Sequence, residues 1–148
     1  FHLCIRGKKG WIVGGGGVIL HTDDGGKNWY SQQSGTATDL NRVLMLANGT
    51  GFISGDKGTL LRTDNGGASW SPVSIRERQS LFGMSFIDKK TGWLVGYKGL
   101  ILRTYDAGEN WVEQVSPTRS DLFAASFYKN RGFAIGRGGV VLAYFEKR

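Results

Sequence analysis

Several things are scarce in this sequence, and each scarcity excludes something. A single cysteine, Cys4, leaves no intrachain disulfide to stabilise the fold and says nothing of redox compartment. Only two prolines stand against 24 glycines, which leaves backbone N–H groups free for sheet ladders while supplying many tight turns. No run of about 18 apolar residues occurs, so no stretch reads as a membrane-spanning helix, and no long helical period of apolar positions appears either. The two histidines, His2 and His21, lack cysteine or carboxylate company at ligand spacing, which argues against a metal site. Acids are few, eight Asp and four Glu, and Glu77, Glu109, Glu113 and Glu146 form no recognisable catalytic pair. Nucleophile and base signatures are likewise missing. The chain opens at Phe1 without an initiator Met or a leader pattern, so its native start is expected to have been processed or cut away, and localisation cannot be read directly.

What is present is repetition. The stretches HTDDGGKNW (His21 to Trp29), RTDNGGASW (Arg62 to Trp70) and RTYDAGENW (Arg103 to Trp111) place Thr22, Thr63 and Thr104 at intervals of 41 residues. A second motif precedes each: GWIVGGGGVIL from Gly10, GFISGDKGTLL from Gly51 and GWLVGYKGLIL from Gly92, with a fourth copy, GFAIGRGGVVL, from Gly132. Four repeats follow, over residues 1–39, 40–79, 80–120 and 121–148. With 40% hydrophobic and 12% aromatic residues, the chain can build a core.

The third repeat reads as four strands: LFGMSFID, TGWLVGY, LILRTY and WVEQVS, here termed A to D, separated by glycine-rich or polar corners. Four antiparallel strands in about 40 residues is the pattern of a β-propeller blade, so the fold class is all-β. The apolar runs WLVG and LIL suit middle strands covered on both faces. The last repeat stops after strand C and lacks its outer strand. Strands therefore number 15, beginning at an A strand.

Within T-x-D-x-G-x-x-W, the short acid or amide accepts backbone N–H groups across the turn, glycine takes a positive φ, and tryptophan opens strand D with a large apolar surface. These residues resemble the Asp-box of sialidase-type and related propellers: Thr22, Asp24, Gly26 and Trp29; Thr63, Asn65, Gly67 and Trp70; Thr104, Asp106, Gly108 and Trp111. Asn65 is a conservative departure. The three boxes are expected to be structural, each acid buried in its own hairpin, with the three tryptophans in equivalent settings.

The longer pattern, L-x-x-x-x-F, then G-W/F-x-x-G-x-x-G-x-I/L-L-R-T, then D-x-G-x-x-W, is similar to the photosystem II stability and assembly factor family over nearly the whole chain. The stretch LFAASFYKNRGFAIGRGGVVLAYF (Leu122 to Phe145) resembles that family's last blade. The resemblance implies a seven-bladed ring whose missing outer strand comes from the N-terminus, so this chain is expected to be the C-terminal part of a larger propeller. It also implies a non-catalytic protein-binding role: docking a photosystem reaction-centre subunit or its precursor, peripheral to a membrane complex, with no cofactor and no metal, in the thylakoid lumen or periplasm.

Net charge is +7, and its placement bears on that partner. Blade topology puts B–C turns and D–A links on one rim, where Arg42, Lys57, Arg76, Arg78, Lys98, Arg119 and Arg137 are expected to form a docking face for an acidic segment. The A–B turns and Asp-boxes take the other rim, with Lys8, Lys9, Lys89, Lys90, Lys129 and Arg131. A merely solvated surface is the bland alternative for either rim. Arg62 and Arg103, just before the boxes, read as repeat structure. Nucleic acid is not favoured, because the aromatics that could stack on bases fall at blade-core positions. Two alternatives stand beside the assembly-factor reading: a resident accessory subunit of a membrane complex, and a glycan-binding or sialidase-like propeller with its catalytic blades elsewhere.

Overall fold

The computed structural model describes residues 1–147. It contains fifteen strands in four sheets of four, four, four and three, every pairing antiparallel and every sheet ordered as the chain runs. The first sheet comprises β1 (His2–Arg6), β2 (Lys9–Val13), β3 (Ile19–Thr22) and β4 (Tyr30–Gln32). The second comprises β5 (Leu40–Met45), β6 (Gly51–Gly55), β7 (Leu60–Thr63) and β8 (Ser71–Pro72). The third comprises β9 (Leu81–Phe86), β10 (Gly92–Gly96), β11 (Ile101–Thr104) and β12 (Val112–Glu113). The fourth stops at three strands: β13 (Leu122–Tyr128), β14 (Arg131–Gly136) and β15 (Val141–Phe145). Four antiparallel sheets in an all-β fold are as the sequence implies.

Strand D is shorter than WVEQVS suggests: β12 covers only Val112 and Glu113, and β8 only Ser71 and Pro72. The reason is its position at the sheet edge, where both residues of each strand are exposed and little apolar burial holds the chain to the ladder. Strand A carries a repeated irregularity at its start. The register shifts between Leu40 and Arg42, between Leu122 and Ala124, and opposite Val95 and Gly96, leaving Asn41, Phe123 and Phe82 as bulged residues.

The chain divides into two compact units, Phe1–Arg78 and Gln79–Arg148, each holding two sheets. In the first unit, Trp11, Val13 and Ile19 of the first sheet pack with Leu40, Val43, Met45, Ile53, Leu61 and Trp70 of the second. Trp11, Val13, Ile19, Leu40 and Ile53 are at most 1% exposed, and each contributes on the order of 1.5–3 kcal/mol by burial. In the second unit, Val95 packs with Leu122, Ala125 and Ala134, with Ile101, Phe127, Val140 and Leu142 at the margin. The ring of Trp93 lies flat on Phe127 at 3.9 Å.

Candidate protein-binding surface

The Asp-boxes are hydrogen-bonded turns, but their centre is the threonine. Thr104 is fully buried; its Oγ1 donates to Asp106 Oδ1 at 2.9 Å and accepts the Gly108 N–H at 2.9 Å. Thr22 and Thr63 make the same pair of bonds. The acid is not buried, contrary to the sequence expectation: Asp106 and Asn65 are exposed and Asp24 is half-buried, because the hairpin turns its polar tip to solvent while the strand end stays inside. Asp24 accepts the N–H groups of Lys27 and Asn28 and the Asn28 side-chain amide. The backbone bond from Asn28, then its amide, hold the Asp24 carboxyl well below the usual carboxylate range, at about 2. Asp106 is lowered through the corresponding bonds from Asn110. Asn65 presents one acceptor to Ser69 N–H and turns its own NH2 to Ser69 Oγ.

The three tryptophans are not equivalent, which corrects the second expectation. Trp70 is 8% exposed and its Nε1 donates to Gln32 Oε1 of the first sheet. Trp111 instead donates to the Gly108 carbonyl of its own hairpin and meets Phe86 edge-on. Trp29 is half-buried, lying against Gly26 and Gly10. What differs between Trp70 and Trp111 is the acceptor their indole N–H groups use.

In the second and third sheets the B–C turn lies on the D–A link that follows: an added Cβ at Gly58 would sit 2.1 Å from the Glu77 carbonyl oxygen, and one at Gly99 would sit 2.1 Å from that of Thr118. Lys57 and Lys98 occupy left-handed conformations at the tips of these turns, φ 55° and 53°, projecting exposed cations from strained backbone. On the opposite side, the Lys90 carbonyl accepts the Ala107 N–H, and the Lys8 carbonyl that of Gly25, tying A–B turns to Asp-boxes.

The expected rim residues differ in their surroundings within each unit. In the second unit, Lys98 and Arg119 line a common recess of about 510 Å³, together with Gln79, Gly99, Glu113 and Ser116. Arg137 is exposed but its charge is engaged, with a 2.9 Å ion pair to the largely buried Asp121. In the first unit, Arg76 and Arg78 are exposed on either side of Glu77, and Lys57 lines a smaller hollow with Asp39 and Asp56. Arg42 is a correction. It is not on the rim link but inside strand β5, half-buried, with Nε enclosed and without a hydrogen-bond partner. It lies near His2, whose pKa is lowered first by burial and then by the Arg42 charge.

Sequence reasoning missed the residues that join adjacent sheets. Asp39 accepts the Gly16 N–H at 2.9 Å, and Asp121 accepts the Lys98 N–H at 3.0 Å, so the acid opening strand A caps the preceding sheet's B–C turn. Arg103 is 7% exposed; its guanidinium lies 4.6 Å from the Trp93 ring centroid and donates to Tyr144 Oη at 2.9 Å and Glu146 at 3.3 Å. Arg62, at the same repeat position, pairs with Asp64 two residues on. A signal was present in the spacing: Trp11 and Trp93, Gln32 and Gln114, and Asp39 and Asp121 each recur at 82 residues, twice the basic period.

Compared with known proteins, the photosynthesis system II assembly factor YCF48 family model matches residues 3–64 and 64–146. The chain belongs to this family. Among solved structures, YCF48 bound to a D1 peptide superposes with a TM-score of 0.76 at 22% identity, covering 97% of this chain and 48% of that one. YCF48 from Cyanidioschyzon merolae gives 0.76 at 20% identity, covering 100% of this chain and 53% of that one. A computationally designed protein, Ika4, gives 0.80 at 13% identity, with 99% and 90% coverage. This chain thus spans about half the length of the YCF48 structures it matches. No curated protein matches the sequence. The fold is that of β-propeller blades. No helix among the described residues is long and apolar enough to cross a membrane.

Proposed function

We propose that this chain is a non-catalytic, protein-binding part of a larger propeller, which docks an acidic segment of a photosystem reaction-centre subunit, or of its precursor, through its B–C and D–A rim. The observation that carries the reading is the recess where Lys98 and Arg119 stand together and outnumber its one lining acid, Glu113. Family membership supports the partner class, since a YCF48 relative is known bound to a D1 peptide. An extended peptide with carboxylates gains from such a pair chiefly in encounter rate and selectivity. The Asp-boxes fit a structural role rather than chemistry, because their acids are spent on their own turn amides.

The test is binding of a D1 peptide to the full chain at two ionic strengths. Lys98→Asn keeps a residue that tolerates the left-handed turn while removing the charge, and Arg119→Glu reverses the second. Together they are expected to weaken binding severalfold at low salt and to flatten its salt dependence. The matched control, Lys89→Glu with Lys90→Glu on the opposite rim, is expected to do less. Equal loss from both pairs would mean diffuse attraction, and no loss from either would remove the rim from the interface.

A further inference from the structure

Asp39 and Asp121 occupy the same repeat position, and their shared work is on the backbone. Asp39 Oδ1 accepts the Gly16 N–H at 2.9 Å, and its carbonyl accepts the Asp56 N–H at 2.9 Å. Asp121 Oδ1 accepts the Lys98 N–H at 3.0 Å, and its carbonyl accepts the Arg137 N–H at 2.8 Å. Each acid thereby ties the B–C turn of its own sheet to that of the sheet before. This tie needs no cation, since Gly16 and Asp56 serve in the first unit where Lys98 and Arg137 serve in the second. Gly16 takes φ 64° freely, whereas Lys98 holds φ 53° at a cost that a glycine would avoid. The Asp121 carboxylate also reaches a side chain: its Oδ2 accepts Arg137 Nε at 3.1 Å and lies 2.9 Å from Nη2. Asp39 is exposed, but Asp121 is only 7% exposed. One buried carboxylate therefore fixes the turn that carries one rim cation and the guanidinium of another.

We propose that Asp121 is a positioning residue for the acidic partner segment, presenting Lys98 and Arg137, cations of adjacent sheets, at fixed places on the B–C and D–A rim. The role rests on the docking proposed above and adds the residue that orders it. A guanidinium carries five N–H donors in a rigid fork. Asp121 takes those on the Nε and Nη2 edge, which leaves Nη1 to a carboxylate of the segment. Holding the group beforehand removes side-chain entropy that binding would otherwise cost. Lys98 is directed in the same way, by its capped turn and by its ammonium lying 5.3 Å from the Tyr97 ring centroid. An acid that only neutralised the rim would oppose an acidic segment, whereas a positioning acid helps it. The two roles therefore give opposite signs when the charge is removed.

The test compares Asp121→Asn with Asp39→Asn in the full chain, each titrated with a labelled D1 peptide at low ionic strength. Both variants raise the net charge by one, and both keep an oxygen for the turn N–H. Asp121→Asn is expected to weaken binding severalfold despite the added positive charge, and Asp39→Asn to leave it unchanged or slightly tighter. Unchanged or tighter binding by Asp121→Asn, or equal weakening by both, would overturn the positioning role. A second readout needs no affinity: the Arg137 Nε–H resonance should be sharp and slow to exchange, move when the peptide is added, and broaden in Asp121→Asn. A resonance indifferent to Asp121 would sink the idea even if that variant were less stable. Arg137→Gln combined with Asp121→Asn should weaken binding by less than the product of the two single losses, because both remove one held group; independent losses count against it. If Lys98→Asn with Arg119→Glu weakens binding and Asp121→Asn does not, the rim stands and the positioning falls. If neither weakens it, both fall.

Discussion

Trp11 and Gly67 lie 56 residues apart and touch: the indole N–H donates to the glycine carbonyl at 3.1 Å, and a Cβ on Gly67 would fall 2.4 Å from the ring. The pair joins the first sheet's strand B to the second sheet's Asp-box, so one residue serves both as turn former and as packing partner. Gly67 has φ +78°, which a side chain also resists. Gly67→Ala is therefore expected to destabilise by about 2–4 kcal/mol through strain and overpacking together. Gly66→Ala in the same turn, at φ +71° but with nothing within 4 Å of its Cβ, should cost only about 1 kcal/mol. Urea denaturation of the two variants checks the difference, and equal losses would show that the indole contact contributes nothing.

The order of importance within an Asp-box is expected to be threonine before acid. Thr104→Val leaves the Gly108 N–H, which is buried, without its acceptor, and should cost about 1–3 kcal/mol. Asp106→Ala should cost less, because its donors at Asn110 are exposed and water replaces the carboxylate. Thermal melts decide the ranking.

Acid sensitivity follows from the depressed carboxyls. Asp24 titrates at about 2 in the folded chain against roughly 3.9 when unfolded. A folded-state pKa below the unfolded one contributes stability that is present above about pH 4 and is lost as pH falls toward 2. Asp106 adds in the same direction. Replacing both by Asn, as Asn65 already does in the second box, should reduce the slope of melting temperature against pH over that window. An unchanged slope would place the acid-sensitive groups elsewhere.

Arg103 and Arg62 share a repeat position but should differ in consequence. Arg103→Lys removes the planar group that bridges Trp93, Tyr144 and Glu146 in a site 7% exposed, and is expected to destabilise by about 1–3 kcal/mol. Arg62→Lys should cost about 0.5–2 kcal/mol, since Arg62 is itself largely buried and holds Asp64 through both Nε and Nη2, although Asp64 is exposed. Chemical denaturation of both variants tests this.

Repeat number, strand order and the positions of all three boxes were legible in the sequence, because a 41-residue period forces each copy of Thr, Gly and Trp into the same local hairpin. Those are short-range relationships: Thr104 finds Asp106 and Gly108 within four residues whatever surrounds them. The tertiary structure decided which repeated residues do different work. Trp70 and Trp111 precede the same strand of their sheets, yet the first bonds Gln32 of another sheet and the second its own turn; the position 41 residues after Gln32 holds Val73, which has no side-chain acceptor to offer. Arg42 likewise reads as a surface cation but is enclosed by its place within strand A, and Arg137 is exposed but held by Asp121. Composition and spacing set what a residue can bond; which neighbour arrives, and whether water is excluded when it does, depends on surfaces that meet only when the sheets pack.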